Sequence, residues 1–358
     1  MKNFLYAISI LIGTIIGVGV FGIPYVAAQA GFSITLIYLI GLGAVTLCIH
    51  LFYAEIVLKT PGKHRLVGYA EKYLGKWGKY LASFSNIPEY WAALLVYIIV
   101  GGQFLKALLQ GSSFNWTLIF FLFGALLIFL GLKMIAQAEL LMSLLLLAAM
   151  VIIFVFGFSQ VHWQNLTGFD WSYLFLPYGV VLFALSGAAA IPEMSELVKG
   201  KQLKMAVVLG TLIPAILFII FVAVVLGVTG PDTTQEALVG LQSILGTKVM
   251  LVGLIFGVLA LMTSFLTIGL NLKKIFCYDY KTNKNLAWIL VCFVPLLAYL
   301  FGLRNFIEII GLIGAILGGI NGLIIALIYA KLKKSWFLPG IIILVFLIGI
   351  FYQLKILF

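Results

Sequence analysis

The sequence predicts an all-α polytopic membrane protein with about 11 transmembrane helices, and three observations support this class. Hydrophobic residues make up 64% of the 358 residues and charged residues only 9%, which is too little charge for a soluble surface. The apolar runs are long and continuous, as membrane helices require and alternating β-barrel strands do not show. The basic residues collect in every second loop, as in the cytoplasmic loops of membrane proteins.

Eleven apolar runs define the predicted spans, which are numbered one to eleven. In chain order they cover residues 4–30, 33–58, 80–109, 115–132, 138–158, 173–198, 205–228, 247–272, 286–303, 306–330 and 337–357. Most of the 22 Lys and Arg residues follow even-numbered spans, above all in the loop 59–79. Because positive residues stay cytoplasmic, we expect the N-terminus inside and the C-terminus outside the cell (inner or plasma) membrane. Membrane lipid is then an expected partner. The net charge of +11 comes from these cytoplasmic loops, so it does not indicate binding of nucleic acid.

Smaller features of the loops and span ends carry further expectations. The loop 59–79 is predicted to hold a short amphipathic helix, with Leu66 and Tyr69 on its apolar face. The outer loop 229–246 is predicted to form a short helix that begins at a capping threonine, with Glu236 three residues later. This helix is either an external lid or an ordinary surface helix. The three cysteines are scattered and indicate neither a disulfide framework nor a metal site. His50, His64 and His162 lie at or near span ends, so we expect them to be interfacial.

Spans one and six are predicted to be broken helices. Glycines from Gly13 to Gly22 and then Pro24 crowd the middle of span one, where they weaken a helix, and we expect the break to begin near Gly17 and to end at Pro24. Span six carries Ser-Gly-Ala-Ala-Ala at 186–190, followed by Pro192. For the glycines of span one, close packing of helices through small residues is the alternative. Interrupted spans at matching positions of two inverted halves indicate a transporter substrate site.

The two breaks lie five spans apart, and an odd number of spans inverts one half relative to the other in the membrane. We therefore predict a 5+5 inverted repeat, with a first five-helix repeat at 1–158 and a second at 159–330. The last span, at 331–358, is then an additional C-terminal transmembrane helix outside the repeat.

Several longer segments occur in a specific order along the chain. They are GTIIGVGVFGIP in span one, YLGKWGKYL before span three, LPYGVVLFALSGAAAIPEMSELVKG in span six and LALMTSFLTIGLNLKKIF in span eight, and then most of spans nine and ten. This ordered set resembles the hydroxy and aromatic amino acid permeases (amino acid/auxin permease group) of the amino acid–polyamine–organocation superfamily. The resemblance implies the fold of the bacterial sodium-coupled leucine transporter and transport of amino acids coupled to a cation. Two departures, the absence of a His from the span-six break and the presence of Glu193 after Pro192, leave the exact substrate and ion open.

The break in span one is the predicted site of the substrate carboxylate. Free N–H groups and the positive end of a helix dipole near Gly17, Val18 and Gly19 favour an anion, and the glycines allow a close approach. The substrate ammonium group is expected at backbone carbonyls where the helices end. In span six the candidate residues are Phe183, Ala184 and Ser186, and Phe183 is also a candidate gate. Tyr90, Trp91 and Tyr97 of span three are candidates to flank the substrate side chain.

The coupling ion is expected to be Na⁺ or H⁺, with Na⁺ preferred. By resemblance, Na⁺ would be bound by the hydroxyls of Thr263 and Ser264 and the carbonyls of Gly13, Ile16 and Ala260, and such oxygen ligands suit a hard cation. Hydrogen bonding of both hydroxyls to their own helix is the alternative. Glu89 and Glu193 are acids inside spans, so each is a candidate to carry a proton or to pair in a cytoplasmic gate.

These features predict a secondary active transporter that moves a neutral amino acid by cation-coupled symport, with aromatic and hydroxy amino acids as the first substrates to consider. An amino-acid sensor on the same fold and a proton-coupled permease are the alternatives. An enzyme is not expected, because no nucleophile–His pair, metal cluster or phosphate loop stands out in the sequence. No cofactor is expected, and the oligomeric state is left open.

Overall fold

The computed structural model describes residues 2–131, 136–241 and 246–357, and places helices at all eleven predicted spans. In chain order the helices are Lys2–Ile15 with Gly19–Ala30, Phe32–Lys59, Leu66–Leu109, Ser113–Leu130, Ala136–Phe158, Leu176–Leu185 with Ile191–Leu197, Gly200–Thr229, Thr247–Lys274, Lys284–Leu300, Phe306–Lys333 and Phe337–Leu357. Among the described residues, eight helices are long and apolar enough to cross a membrane, and the bent first pair makes a ninth. The segments 147–158 and 284–300 are shorter apolar helices, which belong to spans five and nine. The predicted fold class, an all-α polytopic membrane protein, is confirmed.

Span one is broken between Ile15 and Gly19, and its two halves meet at an angle of 47°. Within the break, the N–H of Gly17 bonds to the carbonyl of Ile15 at 2.9 Å, so the chain makes a tight local turn. Pro24 lies inside the second half, whose start at Gly19 falls within the glycine-rich stretch. The break near Gly17 is confirmed, but its expected end at Pro24 is wrong, because the helix resumes at Gly19 and includes Pro24.

Span six is broken after Leu185. Ser186 has an extended backbone (ψ 124°), residues Ala188–Ala190 form a 3₁₀ turn, and the α-helix resumes at Ile191. Pro192 stands in the first turn of the resumed helix, where its missing N–H costs nothing. The predicted break in span six is confirmed.

Two loop predictions have opposite outcomes. The helix predicted in the loop 59–79 is present, because Leu66 begins the long helix of span three, which kinks at Gly75 (φ 74°). Leu66 and Tyr69 are buried as the amphipathic pattern predicts. The prediction of a helix in the outer loop is wrong over 233–241, where only the 3₁₀ turn Val239–Leu241 forms. Instead of capping a helix, the Thr233 hydroxyl donates to the Gly230 carbonyl at 2.6 Å, and residues 242–245 lie outside the described part.

Span eleven packs against spans six and ten through small residues. A Cβ on Gly322 of span ten would lie 2.4 Å from the Phe346 ring, so the ring occupies the space that the glycine leaves. Phe346 is buried, although most of its helix is exposed towards the surroundings. On the same helix, the Tyr352 ring stacks on Phe175 near the start of span six with centroids 3.6 Å apart. The additional helix is therefore attached to the broken span.

Candidate substrate site at the two broken spans

A cavity lies where the breaks of spans one and six meet. Its wall includes Thr14, Ile15, Gly17 and Gly19 from span one, Leu182, Phe183, Ala184, Ser186 and Gly187 from span six, and Asn86, Glu89, Tyr90, Ala93 and Tyr97 from span three. Span two adds Thr46 and His50, span ten adds Asn321 and Gly322, and span eleven adds Phe346. Because both breaks open onto this cavity, their backbone groups are available to a polar ligand there.

Most of the predicted substrate residues surround this cavity. Gly17, Gly19, Phe183, Ala184 and Ser186 line it, whereas Val18 lies in the break itself and is fully buried. The two broken spans touch directly here, since a Cβ on Gly19 would lie 2.6 Å from the Ala184 Cα. The absence of a side chain at Gly19 is thus needed for contact between the spans. The space beside Gly19 that a side chain would enter is occupied by protein, not by a ligand.

Three spans are joined beside Gly17. A Cβ on Gly17 would lie 2.7 Å from the Tyr97 hydroxyl and 3.2 Å from the Ser264 Oγ. The Tyr97 and Ser264 hydroxyls lie side by side, and the Ser264 Oγ donates to the Gly13 carbonyl at 3.1 Å. Spans one, three and eight therefore meet through hydroxyl and carbonyl oxygens at the break of span one.

The residues predicted to bind Na⁺ form two contacts near this junction. One is the bond from Ser264 to Gly13, which links span eight to span one. In the other, the Thr263 hydroxyl donates to the Ala260 carbonyl at 2.9 Å within its own helix. Ile16 is the first residue of the span-one break. The set supplies hydroxyl and carbonyl oxygens, which is the donor chemistry that a hard cation requires.

Glu89 is a buried carboxylate on the cavity wall. The Asn321 side-chain amide donates to Glu89 Oε2, and the Ser85 hydroxyl donates to Asn321 Oδ1 at 2.6 Å. The bond from Ser85 orients the amide so that its NH₂ group faces the carboxylate. Glu89 forms no ion pair with any Lys, Arg or His within residues 2–131, 136–241 and 246–357. An unpaired acid inside a membrane protein is a candidate proton carrier.

Glu193 lies outside the cavity wall and belongs to an ion cluster. Its carboxylate pairs with Lys274 of span eight and lies 3.5 Å from the guanidinium of Arg65, at the start of span three. Arg65 is buried, and its Nε donates to Asn271 Oδ1 at 3.2 Å. The cluster therefore joins the inner half of span six to spans three and eight, on the side predicted to be cytoplasmic.

His50 corrects the expectation of an interfacial histidine. It is buried at 1% exposure, and its imidazole contacts Gly187 in the break of span six and Thr211 of span seven. His50 lies within the apolar run of span two, and this position was the signal in the sequence that could have pointed to a buried role. Among the aromatic candidates, Tyr90 and Tyr97 line the cavity, but the Trp91 indole donates to the Leu290 carbonyl of span nine instead.

The fold matches solved membrane transporters that share this architecture. The chain superposes on the structure of MhsT in complex with L-phenylalanine with a TM-score of 0.73, at 16% identity, covering 97% of this chain and 98% of that one. It also superposes on Mhp1, a nucleobase-cation-symport-1 family transporter, with a TM-score of 0.64 at 14% identity, covering 90% and 77% of the two chains. At these identities the similarity shows the fold, which is that of leucine-transporter-like transporters with broken spans one and six.

Within this class, sequence comparison identifies the family. The tryptophan/tyrosine permease family matches residues 1–355, and the chain belongs to it. The chain is 27% identical to tyrosine-specific transport system 1 of Haemophilus influenzae, over 84% of this chain and 81% of that protein. It is 24% identical to glutamine transporter 2 of Aliivibrio fischeri, over 86% and 84% of the two chains. The protein is thus a multi-pass membrane permease, whereas the wider superfamily stays a prediction.

Proposed function

We propose that this protein is a secondary active transporter that moves a neutral amino acid across the cell membrane by cation-coupled symport and alternating access. The observation that carries the proposal is the cavity at the meeting point of two broken spans. Breaks of this kind place free backbone groups and helix ends in mid-membrane, where they can bind the charged groups of a zwitterion. Membership of a permease family supports the same activity.

The two breaks divide the recognition of a zwitterion between them. The second half of span one begins at Gly19, so its positive helix end faces the substrate carboxylate near Gly17, Val18 and Gly19. The outer half of span six ends at Leu185, where backbone carbonyls beside Ser186 suit the ammonium group. Because no acid stands in the span-one break, this division favours an amino acid over a simple amine.

The walls around the breaks suit a neutral, aromatic side chain. Tyr90, Ala93 and Tyr97 of span three face the same cavity as Phe183 and Phe346. Aromatic rings bind one another edge to face or offset, and an alanine between two tyrosines leaves room for a flat group. A tyrosine-specific system and a glutamine transporter are among the relatives, so L-tyrosine and L-glutamine are the first substrates to test.

Na⁺ is the proposed coupling ion. A cation between Ser264 and Gly13 would tie span eight to the break of span one, and thereby favour one state of the transport cycle over the other. Ion and substrate would then strengthen each other's binding reciprocally. Glu89 supports the alternative of H⁺ coupling, because its buried carboxylate lies on the cavity wall.

Uptake of radiolabelled L-tyrosine and L-glutamine into proteoliposomes tests both parts of the proposal. Under Na⁺ coupling, uptake follows an imposed Na⁺ gradient, and the double variant Thr263→Ala with Ser264→Ala loses this dependence. Under H⁺ coupling, uptake follows a pH gradient in Na⁺-free buffer, and Glu89→Gln abolishes that response. Tight binding of an amino acid with no uptake in any gradient would instead indicate the sensor.

The proposed orientation has a cytoplasmic N-terminus and an external C-terminus. The charge distribution of the loops supports it. In that orientation, the ion cluster of Glu193, Arg65 and Lys274 lies at the cytoplasmic end of the cavity and would close it there.

A further inference from the structure

His50 connects three spans beside the candidate substrate site. Its Nε2 accepts a hydrogen bond from the Gly187 backbone N–H at 3.2 Å, and its Nδ1 lies 2.9 Å from the Thr211 Oγ1. Gly187 belongs to the break of span six, and Thr211 belongs to span seven. The imidazole is buried at 1% exposure and also borders the cavity.

The partners of His50 determine which nitrogen carries the proton. A backbone N–H can only donate, so Nε2 is the unprotonated nitrogen and Nδ1 carries the hydrogen. The Nδ1–H then donates to Thr211, whose own hydroxyl donates to the Val207 carbonyl at 2.8 Å. Each donor in this series has one acceptor, so the ring is held in a single orientation.

The Gly187 amide needs this partner because of the break. Ser186 is extended, so the helix ends before Gly187 and leaves its N–H without a helical acceptor. Gly187 has no room to move towards span one, since a Cβ at this position would lie 2.6 Å from Ile15 Cγ1. His50 therefore supplies the one side-chain acceptor found for this amide in the described part of the chain, at the point where both broken spans pack together.

We propose that His50 is a positioning residue, which holds the break of span six in the geometry that substrate binding requires. By anchoring Gly187 to spans two and seven, it places the neighbouring Phe183, Ala184 and Ser186 against the cavity. The effect on substrate affinity rests on the proposed function, whereas the anchoring of the backbone does not.

Three substitutions of His50 separate its two hydrogen bonds. The amide of His50→Gln reaches the position of Nε2 and can accept from Gly187, whereas the shorter amide of His50→Asn reaches only the position of Nδ1 and Thr211. His50→Leu removes both bonds. Loss of a buried hydrogen bond to the break should raise the Kd for L-tyrosine about tenfold or more in the Asn and Leu variants, and leave the Gln variant within about threefold of wild type.

Hydrogen–deuterium exchange of the purified protein measures the anchoring without any substrate. In the peptide covering 183–190, exchange should be about tenfold faster in the Asn and Leu variants than in wild type and the Gln variant, because an opened hydrogen bond exposes its amide. A peptide from 218–226 in span seven should exchange equally in all of them. If the Asn variant fails to fold, the Leu variant, which also lacks the bond to Gly187, takes its place in this comparison.

The two measurements separate failure of this proposal from failure of the proposed function. Equal exchange at 183–190 in wild type, Asn and Gln variants would overturn the anchoring, as would rapid exchange of this peptide in wild type. Faster exchange in the Asn variant, with no L-tyrosine binding by any form, would uphold the anchoring and count against tyrosine as the substrate. Unchanged Kd in an Asn variant with faster exchange would overturn the role in binding.

Discussion

The ion cluster on the predicted cytoplasmic side should control the resting state of the protein, and Glu193→Gln tests it. Glu193 is the shared anion of the cluster, which it forms with Lys274 and Arg65. The Arg65 side chain is only 7% exposed, whereas those of Glu193 and Lys274 are 24% and 23% exposed. Without the carboxylate, the guanidinium keeps its hydrogen bonds to Asn271 Oδ1 and to the His64 carbonyl.

The expected cost follows from this partial burial. Removing one partner of a fully buried ion pair costs about 3–5 kcal/mol, because the other charge is left without compensation. Water that reaches Glu193 and Lys274 lowers this cost, so we expect Glu193→Gln to destabilise the closed cytoplasmic state by about 2 kcal/mol. The loss applies only to the state in which the cluster is formed. It should therefore shift the equilibrium between the closed and open cytoplasmic states about 30-fold towards the open state.

Uptake kinetics and a matched control measure this shift. A smaller population of the closed state should raise the KM for external L-tyrosine in Glu193→Gln, since fewer molecules face outside. Glu196→Gln removes the same charge one turn further along the helix, where the side chain is exposed, and should leave the KM close to that of wild type. In the double variant with Arg65→Gln, the effects should be less than additive, because the two residues act through one contact. Equal effects of the two glutamate variants, or strict additivity with Arg65→Gln, would refute the reasoning.

Three further predictions concern the two breaks, the buried acid and the topology. Gly19→Ala should weaken binding of L-tyrosine by about tenfold or more in an equilibrium binding assay, since the new Cβ collides with the Ala184 backbone at 2.6 Å; an unchanged Kd would contradict this contact. Asn321→Leu should change the pH profile of L-tyrosine uptake, because the Glu89 carboxylate loses its only side-chain donor among the described residues. A pH profile identical to that of wild type would remove Glu89 from the coupling mechanism. A tag after the last residue should react with an impermeant reagent from outside the cell, and a tag between spans two and three only after lysis; the reverse pattern would refute the proposed orientation.

The number of spans and the positions of the breaks could be predicted from the sequence because their causes are local. A helix needs a continuous apolar run to cross the membrane, and each run is visible in the order of the residues. Glycines near Gly17 and the patch before Pro192 weaken a helix wherever it lies. Local reasoning failed in the outer loop, where Ala237 adopts a positive φ of 55° and Thr233 turns to the Gly230 carbonyl, so that a capping pattern did not become a helix.

The partners of the polar residues were decided only by the tertiary structure. Sequence patterns singled out Ser264, Glu89 and Glu193, and the family resemblance placed Ser264 near the Gly13 carbonyl. Neither indicated that Glu89 faces Asn321 or that Glu193 pairs with Lys274. His50 received no role until the fold placed span two beside the break of span six. Such contacts depend on how helices pack, and inside a membrane nearly every apolar helix face can pack against another. The polar groups then find partners according to that packing, which spacing along the chain does not encode.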